Sequence, residues 1–525
     1  MPTTADITAA LHQPMESEHL DRPALSLETD ETWTYRQLEA RSHELAHELL
    51  AVGVGPGDRV AMLLHNALDY WALYLAITRL RAIAVRVNFR LAAEELAYVL
   101  ADSGSSVVVM HPPFVERVLA LRDRLGPVRH VVLADERTAA RDAGALDWAH
   151  AVERGPGRLD VPAPDVALPT ADEVAMLMYT SGTTGKPKAA VWTHGGTTWF
   201  AAMQTMLWGF DRDTVAMTTG PLYHVGSFED LQLPALTMRG HAVMFRSGSF
   251  SAARMLDVLE TRRVTDCLIY PFMIYDLLRL PDLAERDLRS LRRIVTGGSE
   301  MAAWAIDRLR AVLPDVVLTP VYGLTEGGGI ATAVPDGTDL ARHPDVVGRP
   351  LPMTRIRVVS PDGRDVEPGA VGEVWVSSPS VSPGYWQNPG ATAETFVDGW
   401  CRSGDLGRIG EAGQLVIAGR AKDMIKTGGE NVYPAEVEQV LVLHPAVADA
   451  AVIGLPDERL DEIVCAVVVL EPGAVLDEAA VVEHCRAHLA GYKKPRRVTF
   501  VEALPRTPSG KVTKFVLRDE LVARP

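Results

Sequence analysis

Over most of the chain, short apolar runs alternate with stretches of helical spacing. Residues 59–64, 107–110, 130–133 and 174–178 are nearly uninterrupted apolar runs, the pattern of strands buried on both faces. Between them, residues 34–50 carry apolar positions three and four apart, with Gly53 as a stop, and residues 67–80 read as a second helix. The alternation continues to about residue 345, which predicts a mostly parallel sheet arrangement with helices on both faces. From about 346 to 419 the pattern shortens to strands and turns, such as 355–359, Pro361-Asp-Gly363 and 372–376, as in a small antiparallel barrel. Residues 434–443 and 477–490 read as helices and 448–453 and 462–470 as strands, a compact α+β block. The expected fold is therefore α/β. A large N-terminal domain of doubly wound sheets plus a small β-barrel spans residues 1–419, in parts of about 1–170, 171–345 and 346–419, and a small separate α+β C-terminal domain spans 420–525.

Size and composition agree. A chain of 525 residues is too long for one core. Its 47% hydrophobic and 23% charged residues are those of a globular protein, and a net charge of −16 argues against nucleic acid as partner. The four cysteines, Cys267, Cys401, Cys465 and Cys485, are far apart and suit a reducing compartment. With no apolar run of about 18 residues and no signal-like start, no membrane span and a cytoplasmic location are expected.

The chemistry concentrates after the run at 174–178. Tyr179-Thr-Ser-Gly-Thr-Thr-Gly-Lys-Pro-Lys188 interleaves the hydroxyls of Thr180, Ser181, Thr183 and Thr184 with Gly182 and Gly185, then adds Lys186 and Lys188. Glycines let a backbone approach an anion, hydroxyls and amides donate to it, and lysines balance its charge, so the stretch points to phosphate. It is not the common nucleotide P-loop, because Thr180 and Pro187 stand where that motif needs Gly and Ser/Thr. Two other patterns fail. Gly297-Gly-Ser-Glu-Met301 lacks the final Gly of a nucleophile elbow. His484, Cys485 and His488 lie on or beside an apolar helix face and read as packing residues, not metal ligands.

Further motifs follow in order: Tyr322-Gly-Leu-Thr-Glu326, Ser403-Gly-Asp-Leu406, Gly419-Arg-Ala-Lys-Asp423 and Thr507-Pro-Ser-Gly-Lys511. With the phosphate loop they resemble, over nearly the whole chain, the adenylate-forming superfamily, in its acyl- and aryl-CoA synthetase branch. The resemblance implies ATP, Mg²⁺ and CoA, and a carboxylic acid activated as an adenylate. By the same resemblance Tyr322 would stack on adenine, and Gly297, Gly298 and Ser299 would line the adenine and acid pocket. Thr325 would touch the α-phosphate and Glu326 would hold Mg²⁺, while Asp405 and Arg420 would hold the ribose. Lys511 would bridge the acid carboxylate and the α-phosphate. Lys422 would be the hinge of a domain rotation that brings Gly428 and Gly429 to a channel for the pantetheine thiol.

The resemblance also puts His224 at the mouth of the acid pocket, with Phe228, Glu229, Asp230, Tyr270 and Gly327 around it. Tyr270, Phe272 and Tyr275 would form an aromatic wall, favouring an aryl or short-to-medium-chain acid. The adjacent Glu229 and Asp230 depart from the small or apolar residues usual there, and Ala189-Ala190 is a lesser departure. Either the two acids face the pocket and take an amino- or hydroxy-substituted acid, or they cap the next helix. The acceptor is CoA or a carrier-protein thiol, with a non-thiol acceptor, such as nitrite in an ATP-dependent diazotase acting on an aminated aryl acid, as the alternative. Which acid is used, and the oligomeric state, are not written in the sequence.

Overall fold

The computed structural model describes residues 17–125, 128–134, 149–153, 158–159, 161–180, 186–298, 301–338, 340, 346–428, 430–506 and 512–523. Three sheets organise them. The first has seven strands in the order Ala149–Glu153, Arg129–Ala134, Val107–Met110, Arg59–Leu63, Ile83–Arg86, Val174–Thr180 and Lys188–Thr193. All neighbours are parallel except the last pair, a hairpin. The apolar runs become these strands because both faces are covered; Val60, Ala61, Met62 and Leu63 are each 0% exposed.

The second sheet has a parallel half, from Pro23–Leu27 through His241–Met244, Val215–Thr218, Asp266–Leu268 and Arg293–Thr296 to Val317–Leu324. Antiparallel strands continue it, from Gly329–Ala333 through Val346–Pro350, Leu415–Arg420, Trp400–Ile409 and Gly372–Ser377 to Arg355–Val359. The short strands after residue 346 are thus antiparallel, as the pattern predicts, and run on from the central sheet. The two large sheets exchange chain: Pro23–Leu27 joins the second, while Val174–Thr180 and Lys188–Thr193 close the first. Each therefore draws on both sides of residue 170, and their shared core joins the helices Tyr35–Ala51, Leu68–Arg79 and His194–Trp208.

A third sheet, with Val447–Asp457, Asp461–Leu470, Arg497–Phe500, Ile425–Thr427 and Glu430–Val432, forms the smaller C-terminal domain with its own apolar cores. The helix Tyr35–Ala51 begins in a capping box: Thr34 accepts from the amide of Gln37, and Gln37 returns a bond to the Thr34 amide. Among the described residues no helix is long and apolar enough to cross a membrane.

Candidate functional site

Among the described residues the sequence motifs form two bonded clusters near the carboxyl ends of the parallel strands, where α/β sheets hold their ligands. In the hairpin of the first sheet, Thr180 stands opposite Lys188, so the phosphate loop is the hairpin's turn. Ser181, Gly182, Thr183, Thr184 and Gly185 lie outside the described residues. Thr180 Oγ1 donates to Glu326 Oε1 at 2.8 Å, and the Tyr385 hydroxyl donates to the same oxygen at 3.0 Å. Trp192 Nε1 fixes the turn before Glu326 by donating to the carbonyl oxygen of Thr325 at 3.0 Å. The Lys188 ammonium lies 5.4 Å from the centre of the Tyr385 ring, and that of Lys186 5.3 Å from the Tyr98 ring. Burial and the Glu326 carboxylate hold the Tyr385 phenol above its ordinary pKa, so it remains a donor.

Among the described residues these bonds both use Glu326 Oε1, and the oxygen-rich corner of Glu326, Thr180 and Tyr385 suits a hard cation. Ala189 and Ala190, the lesser departure, are buried against residues 384–386: the Trp386 amide donates to Ala189 and Ala190 bridges Tyr385.

Sheet register builds the second cluster. Asp405 on Trp400–Ile409 faces Arg420 on Leu415–Arg420, giving a 2.9 Å ion pair from Nε to Oδ1. The Tyr322 hydroxyl donates to the other carboxylate oxygen at 2.8 Å. Burial first, and the Asp405 carboxylate second, raise the Tyr322 pKa well above its ordinary value. Tyr322, Asp405 and Arg420 are thus gathered, with two carboxylate oxygens that each keep accepting capacity. Gly298 follows the strand Arg293–Thr296 at φ +84°, a conformation that favours glycine, and Ser299 lies outside the described residues. Gly327 is buried in the turn after Glu326.

In the C-terminal domain Lys422 is exposed in the 3-10 turn Ala421–Asp423 that leaves the second sheet. Gly428, at φ +59°, donates to the carbonyl oxygen of Leu460 at 2.9 Å in the turn after Ile425–Thr427. Gly429 and Lys511 lie outside the described residues. His484 Nε2 lies 2.8 Å from the carbonyl oxygen of Val440, His488 Nδ1 lies 2.8 Å from that of His484, and Cys485 is buried.

Around residues 220–231 the structure corrects several expectations. The His224 Nδ1 accepts from the Gly226 amide at 3.2 Å and starts the short helix Val225–Phe228. Phe228, expected in the pocket wall, is packed in the core, stacked 3.7 Å from Trp71 with the Arg86 guanidinium 4.7 Å from its ring centre. Glu229 is held by an ion pair inside the core. Its Oε2 accepts from Arg86 Nη2 at 2.7 Å, and neither side chain is exposed. Burial nonetheless pushes the Glu229 carboxyl up to about 7 against the pull of Arg86.

The capping alternative fails as well. The helix Gln232–Thr237 has no side-chain cap, and Leu231 before it adopts φ +62°, held between Gln204 bonds to the Leu231 amide and the Glu229 carbonyl. The aromatic wall also divides, because the chain turns into the helix Pro271–Leu278 after Tyr270. Tyr270 stays buried, Phe272 is 38% exposed, and Tyr275 turns away to accept from the Ala302 amide and pack on Trp304.

Sequence reasoning missed Arg86 and Tyr385. Arg86 had a signal, a cation closing the apolar run Ile83-Ala-Val85, which demands a buried anion. Tyr385 had none, since only the fold brings it 59 positions back to Glu326.

Comparison with known proteins agrees with this geometry. The profile of the AMP-binding enzyme family matches residues 12–386, and that of the AMP-binding enzyme C-terminal domain matches residues 436–511. A feruloyl-CoA synthase of Amycolatopsis sp is 38% identical, over 92% of this chain and 93% of its own. A long-chain-fatty-acid–CoA ligase of Mycobacterium tuberculosis is 36% identical, over 94% of each. Among solved structures, ATP-bound MatB of Rhodopseudomonas palustris superposes with a TM-score of 0.87 at 31% identity, covering 99% of both chains. An anthranilate CoA ligase, AuaEII, holding anthranoyl-AMP superposes with a TM-score of 0.86 at 25% identity, covering 100% of this chain and 99% of its own. The chain therefore belongs to the AMP-binding enzyme family, in the CoA-ligase branch of the adenylate-forming superfamily, and is an AMP-forming acid–thiol ligase.

Proposed function

We propose that this enzyme activates an aryl or short-to-medium-chain acid with ATP and transfers the acyl group to CoA. One observation carries the reading: the phosphate-loop hairpin and Glu326 share a bonded corner through Thr180 and Tyr385. The Asp405–Arg420–Tyr322 cluster, made by the same sheet that leads to Glu326, supports it.

In the first step an oxygen of the substrate carboxylate attacks the α-phosphorus, and the bond to pyrophosphate breaks. Asp405 accepts from the ribose hydroxyls, Arg420 steadies Asp405, and Tyr322 offers its ring to adenine. The phosphate loop, including Lys186 and Lys188, cradles the leaving phosphates, and Thr325 donates to the α-phosphate. Lys511 offsets the charge that builds between carboxylate and phosphorus. Glu326, steadied by Thr180 and Tyr385, would hold Mg²⁺, which supplies neutralisation of phosphate charge.

In the second step the CoA thiolate attacks the acyl carbonyl and AMP leaves. A rotation about Lys422 withdraws Lys511 and brings Gly428 and Gly429 to the thiol's path. His224 stands at the mouth of the acid pocket and Tyr270 lines it. The aromatic acids named for the feruloyl-CoA synthase and anthranilate CoA ligase relatives support an aryl substrate here.

ATP–pyrophosphate exchange over a panel of aryl and aliphatic acids tests the reading. Exchange stimulated by aryl or short acids is expected. Exchange that no acid stimulates would overturn it.

A further inference from the structure

Beside the phosphate-loop hairpin lies a set of polar atoms that the protein leaves without partners. Among the described residues Tyr70 Oη, Glu229 Oε1 and Asp230 Oδ1 are buried without a hydrogen-bond partner, and the buried hydroxyls of Tyr270 and Ser227 reach only each other. Buried polar groups are nearly always satisfied, so this many together mark a place for a polar ligand group. Several face one spot. A β-carbon placed on Gly226 would sit 3.5 Å from Tyr270 Oη, 3.5 Å from His224 Nδ1 and 3.7 Å from Asp230 Oδ2. One placed on Gly220 would sit 3.3 Å from Tyr270 Oη and collide with Ser227 Oγ. Glycines at 220 and 226 let these polar groups converge against the backbone.

Charge sharpens the inference. Arg86 supplies one buried positive charge, and Glu229 already uses it at 2.7 Å. Asp230, 6% exposed, has no cation of its own. Its position is fixed nonetheless, because Gln204 clamps the turn on both sides through the Glu229 carbonyl and the Leu231 amide. Arg86 pairs in register with Met178, two residues before Thr180, so the cluster flanks the strand that carries the phosphate loop. Burial and the neighbouring Glu229 also raise the Asp230 carboxyl well above its ordinary pKa, a cost that a ligand donor or cation beside it would relieve.

We propose that Asp230, with Tyr270 and Ser227, recognises an amino group on the substrate acid, so that this ligase prefers amino-substituted aryl acids. An amine fits better than a hydroxyl because it brings two N–H donors to several acceptors, where a hydroxyl brings one. The inference rests on the acid-activating reading of the site above.

The test measures kcat/KM for pyrophosphate release with paired acids: the three aminobenzoates against benzoate, and 3- and 4-aminocinnamate against cinnamate. Wild type, Asp230→Ala and Asp230→Asn are compared, with melting temperatures as a folding check. The amino acid of at least one pair should be preferred by about 10-fold or more. Asp230→Ala should cut that value by roughly 10- to 100-fold, mostly through KM, and leave the parent acid within about 3-fold. Asp230→Asn, which keeps one acceptor and the same size, should fall between.

Equal losses for both members, or preference for the parent in every pair, would overturn the proposal while leaving the ligase reading intact. If wild type activates no acid, the ligase reading fails, and thermal-shift titration of the aminated acids with ATP decides the Asp230 assignment separately. A shift that vanishes in Asp230→Ala supports it, and the absence of any shift overturns it.

Discussion

Replacing Arg86 with methionine should destabilise the enzyme in a pH-dependent way. Arg86 and Glu229 are both 0% exposed, so removing the guanidinium leaves a carboxyl in a dry site. Breaking a buried pair of this kind costs about 3–5 kcal/mol. The lost contact with the Phe228 ring, at 4.7 Å, adds roughly 1 kcal/mol. Glu229 can escape most of the charge penalty by taking a proton. Its folded carboxyl already titrates at about 7, above its ordinary 4.5, with Arg86 pulling it down, so without Arg86 it rises further.

The sign follows from linkage. A folded carboxyl held above its unfolded value favours the protonated state, so stability is full at acidic pH and falls as pH rises. Wild type completes that fall near pH 7, whereas the variant continues to lose stability above it. The gap should therefore be about 1 kcal/mol at pH 6 and approach about 3–5 kcal/mol at pH 8.5. At roughly 1–2 °C per kcal/mol for a body this large, the melting temperature drops by about 1–2 °C at pH 6 and by about 3–10 °C at pH 8.5. Scanning calorimetry at one scan rate reads both. Adding Glu229→Gln should recover most of the loss at pH 8.5. A drop that does not change with pH, or a double variant equal to the sum of the singles within about 0.5 kcal/mol, would refute the reasoning.

Three further outcomes are expected. Asp405→Asn should raise KM for ATP by about 10-fold or more with little change in melting temperature, because it weakens the ion pair to Arg420 and the acceptor for ribose together. Glu326→Gln should move the Mg²⁺ dependence of pyrophosphate release to higher concentration by about 10-fold or more, while Tyr385→Phe, which removes one donor to the same oxygen, should shift it by a few-fold. Lys422→Pro, which stiffens the turn Ala421–Asp423, should leave ATP–pyrophosphate exchange within about 3-fold and lower thioester formation by about 10-fold or more; equal losses would argue against a hinge there.

Much of this was legible in the chain because it is local. Apolar runs at 59–64 and 107–110 became strands within a residue, and the helical spacing over 34–50 became the helix Tyr35–Ala51. The phosphate loop could be placed after a strand because glycine, hydroxyl and lysine sit together in sequence. What could not be read depends on register and on chain crossing between sheets. Nothing at Asp405 says that Arg420 lies opposite; the antiparallel pairing alone decides it. Pro23–Leu27 pairing with His241–Met244 is likewise a long-range choice. Tyr270, Phe272 and Tyr275 look like one wall in sequence, but the helix beginning at Pro271 sends them to different sides. Glu229 and Asp230 look like equals in sequence, but only Glu229 reaches Arg86.

The most direct test of the central claim is product analysis by mass after incubation with ATP, Mg²⁺ and aryl acids, with and without CoA. The account predicts acyl-CoA and AMP in equal amounts, with turnover that requires CoA. AMP released at the same rate without CoA, and no thioester when CoA is present, would contradict it.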